Sequence, residues 1–483
     1  MAGRRDAAKR RGGRWICLAG WLTCAVALGA PSEGTPPASP STSSAVKASA
    51  LDLNHLISLA RDRDPRVKVA QDQLDKLQGQ AKEAYWAWFP KFETVLAFAG
   101  PTPEAKNDGL GGPVTPASLM YDANLGHVGF TVRAQVNALL PVYTFGKITA
   151  LRKAGEQAVL VGQALKERAQ AETSQQVVEA YYGYQLARQG KASLEEGLER
   201  ITDAGERIDK LIKKESAQVS TLDQYKVRYF KQLIHARQAQ AANGMEVAAA
   251  ALRLLIGAPP QAQVALAEED LQAPSYQVKA ADAYIDLALA HRPELRAANA
   301  GIVAREQQVL IREREYFPDF GILGFFNFAY TSSATRQRSP FVYDPYNDLS
   351  SGVALVTRMT FDLPVKSAHV DQARAELSEL QHQRELLVSG IRLQVTKLRG
   401  DLLEAQQRAA DYGAAEKEAR RWATAAYENF DLGVGDTREL TDAFIALGQA
   451  SGEKLKAWYE AEVDARALAT ALGVDPRQVK QAL

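Results

Sequence analysis

The chain has 483 residues, 46% of them apolar, and a formal net charge of +1. That length exceeds any minimal domain, and that apolar content excludes a disordered polypeptide. A near-neutral balance leaves no basic footprint for nucleic acid, so no nucleic-acid partner is expected.

The first thirty residues carry a basic lead (Arg4, Arg5, Lys9, Arg10, Arg11, Arg14), the apolar run WICLAGWLTCAVALGA and then small residues. This is the pattern of a cleaved export signal over 1–30, the run being short of the roughly 20 residues that span a bilayer. Six basic residues and one acid lie in it, so the remainder has a net charge of −4. Both cysteines, Cys17 and Cys24, lie there too. An exported product then has no thiol for a disulfide or a metal. Residues 31–50, rich in Pro, Ser and Thr, read as a flexible leader.

From Leu51 the pattern becomes helical, with Leu53, Leu56, Leu59, Val67, Ala70, Leu74, Leu77 and Ala81 at helical spacing. A helix over 51–89 is expected to stop before Pro90, because the residue preceding proline avoids the α region. Residues 90–141 read as a strand pair. In HVGFTVRAQVNALL (127–140) the even positions are apolar and the odd ones include Thr131, Arg133, Gln135 and Asn137, which gives one greasy and one wet face. Residues 142–257 return to helical spacing, reversed by a turn near 213–221, and 258–281 read as a linker.

The chain is then written a second time. RDPRVKVAQDQLDKLQGQAKEAYWAWFPKF (63–92) lines up with HRPELRAANAGIVAREQQVLIREREYFPDF (291–320), pairing Pro65 with Pro293 and Pro90 with Pro318. Leu140-Pro141-Val142 matches Leu363-Pro364-Val365, Thr221 matches Thr437 and Gly257 matches Gly473. The spacing shrinks between the later matches by one heptad, which suggests a deletion inside a coiled-coil-like helix. The second copy comprises helices over 282–317 and 365–474, a strand pair over 318–364 and a C-terminal tail, 475–483. Residues 366–432 read as one helix of about 67 residues, roughly 100 Å long and too charged to lie in lipid.

Alternating strands of about ten residues, with aromatics at one end (Tyr85, Trp86, Trp88, Phe89; Tyr316, Phe317, Phe320) and long loops at the other, match an outer-membrane barrel wall. Four strands cannot close in hydrocarbon, so the chain must oligomerise; three copies would supply twelve, though two or four would also close. The expected fold class is a mixed α/β membrane protein, with a β-barrel shared between protomers and continued by a long α-helical coiled-coil barrel. Each Phe-Pro-x-Phe marks a bend from a water-bathed helix to a lipid-bathed strand, and Pro90, Pro141, Pro318 and Pro364 are the expected barrel–helix junctions.

With its duplicated strand-pair and helix-hairpin plan, its paired Phe-Pro-x-Phe junctions and its Gly-x-x-x-Thr turn, the chain resembles the TolC family of outer-membrane efflux proteins from Leu51 to about Gly473. The resemblance implies a homotrimer in outer-membrane lipid whose helical tunnel reaches through the periplasm to a periplasmic adaptor (membrane fusion) protein and an inner-membrane transporter. It implies a periplasmic gate at Glu439 and Asp442, with Asp223 as the first-copy counterpart of Glu439. A ring of such carboxylates would favour cations. Adaptor-docking tips are implied at Gly433, Val434, Gly435 and Thr437 and at Ala217, Val219 and Thr221. Gly435 stands where the family carries a gate-locking arginine, and Lys213-Lys214-Glu215-Ser216-Ala217 where it carries a glycine turn.

No enzymatic constellation appears. The six histidines are scattered without metal-binding spacing, Pro141 breaks any phosphate loop before Lys147, and no nucleophile elbow is present. No cofactor or metal is expected. The reading is a passive exit duct of a tripartite efflux or type I secretion system. The alternative is a periplasmic coiled-coil scaffold or adaptor without a membrane barrel.

Overall fold

A computed structural model describes residues 51–102, 104–106, 120–122, 128–214, 219–262, 266, 270–334, 336, 344 and 346–483. The expected signal, leader and Ala217 lie outside the described residues. No helix among the described residues is long and apolar enough to cross a membrane.

The first repeat opens with α1 (Leu53–Arg63) and α2 (Pro65–Tyr85), two helices where one was expected. The break follows from Pro65, which has no N–H to donate and pushes Asp64 to extended backbone (ψ 127°). Asp64 then caps α2 by accepting from the Arg66 N–H at 2.8 Å. The second repeat breaks identically, with Arg292 (ψ 129°) between α5 (Ala281–His291) and α6 (Pro293–Arg314). The proline rule that ends these segments at Pro90 and Pro318 thus applies within them too. At the end of α2 a 3-10 turn, Trp86–Trp88, intervenes before Pro90.

The sheet contains β1 (Lys91–Thr102), β4 (Gly129–Tyr143), β5 (Asp319–Thr331) and β6 (Leu349–Arg358) in the order β1-β4-β5-β6, all antiparallel. Two short strands, β2 (Glu104–Lys106) and β3 (Met120–Asp122), pair separately in the first connection. Register puts Phe92, Leu96 and Phe98 of β1 on the same face as Val132, Ala134, Val136 and Ala138 of β4. Phe326, Phe328 and Tyr330 of β5 and Val353 and Leu355 of β6 continue that face. The other face carries Glu93, Arg133, Gln135, Asn137, Asn327 and Ser350. The alternation read from the sequence is therefore one continuous apolar surface, and its side chains are largely exposed in the single chain.

Long helices leave the sheet as α3 (Lys147–Lys213) and α7 (Leu363–Asp431) and return as α4 (Thr221–Leu255) and α8 (Thr437–Ala471). Their seams are built from small residues at helical spacing: Ala461, Ala465 and Ala469 of α8 are fully buried against Ile391, Val395, Leu402 and Ala405 of α7. Alanine lets the axes approach closely enough for coiled-coil packing. The first repeat has its own core, where Leu56, Ile57 and Ala60 meet Val177, Val178, Tyr181 and Leu252.

The register corrects two expectations about the repeat. Lys91 pairs with Leu139 and Asp319 with Arg358, so Leu139 corresponds to Arg358 and, with the same shift, Lys147 to Lys366. The Leu-Pro-Val match is a slip: Pro141 lies inside β4, at a bulge, whereas β6 ends at Arg358 and Pro364 lies in the first turn of α7. No heptad is deleted from the helix, since α7 is 69 residues and α3 is 67. The length difference falls at the strand exit and at the tip, where the turn 214–220 is longer than 432–436. Residues 475–483 fold back as a 3-10 turn (Pro476–Gln478) and α9 (Val479–Ala482), with Val479 and Leu483 in the α7–α8 core. Within the linker, Leu266 pairs with Leu51 as an isolated parallel bridge.

Candidate functional site

Two regions could carry function: the neck where sheet meets helices, and the far tips of the hairpins. At the neck, Phe145 (φ +50°) and Gly146 (φ +78°) turn the chain from β4 into α3. Phe145 stacks on Phe317 at 4.8 Å. The Lys147 ammonium donates to the Phe317 carbonyl at 2.8 Å and to the Asp319 carboxylate at 2.9 Å, and Arg314 donates to the Gly146 carbonyl at 2.8 Å. Start of α3, end of α6 and start of β5 are thereby locked together. In the second repeat the buried Lys366 donates to the Thr360 carbonyl at 2.5 Å and stands 3.6 Å from Asp362. Pro90 and Pro318 each directly precede a strand, Pro141 lies two residues before the end of β4, and Pro364 lies in the first turn of α7. Tyr85, Trp86, Trp88, Phe89 and Phe92 stand exposed around the neck, at the level that suits an interfacial aromatic belt.

At the tips, both hairpins meet in one apolar cluster of Ile208, Val227, Phe430 and Leu440 with Ala204, Ala423, Ala426 and Ala443. The turn 432–436 closes through Gly433 (φ +80°) and through Val434 and Gly435 N–H groups donating to the Asn429 carbonyl at 3.0 and 2.9 Å. A Cβ on Gly435 would lie 2.7 Å from the Phe430 nitrogen, so this backbone turn excludes the arginine that the resemblance led one to expect. Leu432 and Val434 are 77% and 78% exposed.

The predicted gate acids do not share one environment. Asp223 forms a capping box, accepting from the Ser220 N–H at 2.9 Å and the Ser220 hydroxyl at 2.8 Å, with Lys226 at 3.3 Å. Burial pushes its carboxyl up, but the Ser220 hydrogen bonds and the Lys226 charge outweigh that and hold it below the usual range. Glu439 and Asp442 are exposed on the first two turns of α8, with Arg438 3.7 Å from Asp442. Thr437 is fully buried and so offers no docking surface; Gly433, Val434 and Thr221 are exposed, Gly435 and Val219 half-buried. Arg207, which no motif marks, pairs with Asp431 and lies 5.4 Å over the Tyr427 ring, tying α3 to α7. Residues this remote in sequence are joined only by the hairpins lying side by side.

Among the described residues no cluster of His, Cys, Asp and Glu could hold a metal. A four-stranded sheet with a continuous apolar face, extended by paired helical hairpins, is the build of one stave of a barrel-and-tunnel channel. The profile of the family described as outer membrane efflux protein matches residues 56–258 and 284–474, one match per repeat. The chain belongs to the outer membrane efflux protein family. Its fold is that of the outer-membrane channel OprN (18% identity, 88% of this chain and 90% of that one, TM-score 0.73). It is also similar in fold to VceC of Vibrio cholerae (17%, 88% and 96%, 0.72) and to the open state of the MtrE channel of Neisseria gonorrhoeae (15%, 87% and 89%, 0.70). No curated protein sequence matches the chain.

Proposed function

We propose that the chain is a passive outer-membrane exit duct of a tripartite efflux or type I secretion system. Three copies, set in outer-membrane lipid, conduct substrate delivered by an inner-membrane transporter through a periplasmic adaptor. The observation that carries this reading is the sheet: four strands with one apolar face and open edges at β1 and β6. Open edges are not tolerated in hydrocarbon, so the sheet needs neighbours, and three copies give twelve strands. The neck, locked by Lys147 and ringed by aromatics, is where the lipid-bathed wall gives way to α3 and α7. Each of those helices is about 100 Å long at 1.5 Å per residue, enough to cross much of a periplasm.

In this reading Glu439 and Asp442 line the far mouth as a threefold carboxylate ring, while Asp223 supports it by holding the start of α4. Leu432, Gly433, Val434 and Thr221 present the surface that an adaptor meets, with Val219 and Gly435 shaping it. Planar-bilayer recording tests the duct directly. Steady ohmic steps with cation preference are expected, and the preference should fall in Glu439→Ala and Asp442→Ala. No conductance from protein inserted in the bilayer would overturn the reading.

A further inference from the structure

The seam between the two repeats inside one chain is a template for the seam between chains. Inside the chain, β4 of the first repeat pairs with β5 of the second, Leu139 opposite Leu323 and Pro141 opposite Gly321, and Lys147 at the start of α3 grips Asp319 at the start of β5. The free edges are the same two elements with the repeats exchanged: β6 corresponds to β4, and β1 to β5. Lys91 stands where Asp319 stands, Arg358 where Leu139 stands and Lys366 where Lys147 stands.

Carrying the in-chain register across, with the assembled ring proposed above as its premise, Arg358 falls opposite Val95 of the next copy and Thr360 opposite its Glu93. Parity holds, because the even positions of β6 and the odd positions of β1 both lie on the polar face. Arg358 and Glu93 of the next copy become diagonal neighbours, within reach of long side chains. At the neck, exchange of the repeats would bring Lys366 against Lys91 of the next copy, two like charges where the chain itself has Lys147 and Asp319. Asp362, 3.6 Å from Lys366, supplies the missing acid.

We propose that β6 of one copy adds to β1 of the next in this register, with Asp362 held between Lys366 and Lys91 of the next copy and Arg358 paired with its Glu93. The edge strands carry the charges this needs. Lys91, Glu93 and Arg358 are all exposed, and among the described residues no side-chain hydrogen bond or ion pair engages any of the three within the chain. Opposite charges on the polar face fix register where the apolar face alone would tolerate a slip of two.

Residues 31–483 contain no cysteine, so engineered thiols report the register cleanly. After mild oxidation in detergent, the double variant Val95→Cys/Arg358→Cys is expected to run as a covalent trimer on a denaturing gel. The single variants, and Ala99→Cys/Arg358→Cys, are expected to run as monomers, since a displaced pair exceeds disulfide reach. Independently, Glu93→Arg and Arg358→Glu should each lower the temperature at which the assembly dissociates, and the double exchange should restore it. An assembly that sizes as a trimer yet links at the displaced pair, or at neither, overturns the register alone. A wild-type chain that sizes as a monomer overturns the ring and the register together.

Discussion

Arg292 donates its Nε–H to the carbonyl of Ala471 at 2.7 Å and reaches Gln394 at 2.7 Å. A guanidinium from the break between α5 and α6 thus caps the last turn of α8, where carbonyls have no partner within the helix. At the corresponding break in the first repeat stands Asp64, which turns its carboxylate onto Arg66 instead. Duplicated backbones have kept the break and diverged in what fills it.

Arg292→Met should therefore destabilise by about 2 kcal/mol, since it leaves the Ala471 carbonyl buried without this donor. Thermal unfolding in detergent checks this. Arg292→Lys should recover only part of the loss, because one ammonium cannot serve both acceptors with the geometry of the fork.

Gly473 ends α8 at φ +75°, and a Cβ there would lie 2.8 Å from the backbone of His291. Gly473→Ala combines left-handed strain with a clash against backbone that cannot swing aside, for an expected cost of about 2–3 kcal/mol in the same assay. Its counterpart Gly257 has 3.4 Å to the Arg63 side chain, so Gly257→Ala should cost only the conformational part, about 1 kcal/mol.

Asp464 of α8 is pushed up to about 6 by burial, by the neighbouring carboxylates Asp401 of α7 and Glu460 of its own helix, and against the pull of Arg408 and Lys397. A raised folded-state value means that the fold favours the protonated form. Stability from this group is highest below its ordinary value of 3.8 and falls as pH rises toward 6, above which the penalty is constant. Asp464→Asn should therefore be more stable than wild type by about 1 kcal/mol at pH 8, screening by solvent having reduced the full linkage value. The difference should close near pH 4. Unfolding measured across that range checks the sign.

Arg207 is the sole strut described between α3 and the end of α7 that is both an ion pair and a cation–π contact. Arg207→Gln should loosen the tips without touching their apolar cluster, so single-channel conductance should rise severalfold while the temperature of unfolding barely moves. An unchanged conductance would show that the tips are held by Ile208, Val227, Phe430 and Leu440 alone.

The plan of the molecule was legible because each element has its own period: alternation in the strands, three-and-four spacing in the helices, and Phe-Pro-x-Phe at both helix-to-strand boundaries. What misled was local identity. Leu-Pro-Val occurs at both strand exits but in different structures, because Phe145 and Gly146 turn the chain in one copy while Pro364 starts a helix in the other. The breaks at Pro65 and Pro293 leave no mark in the apolar spacing, which continues across them, Ala60 to Val67. The Arg207–Asp431 pair and the burial of Thr437 depend on how the hairpins lie together, which no spacing within one hairpin encodes. The capping role of Asp223 could have been read from Ser220, three residues before it.

Everything about transport rests on the sheet being one part of a closed ring in lipid. The protein mass of the detergent-extracted complex, with bound detergent subtracted, is the most direct test. Three chains per particle, recovered with the outer-membrane fraction after salt washing, is the expected result. A single chain that stays in solution without detergent would contradict it.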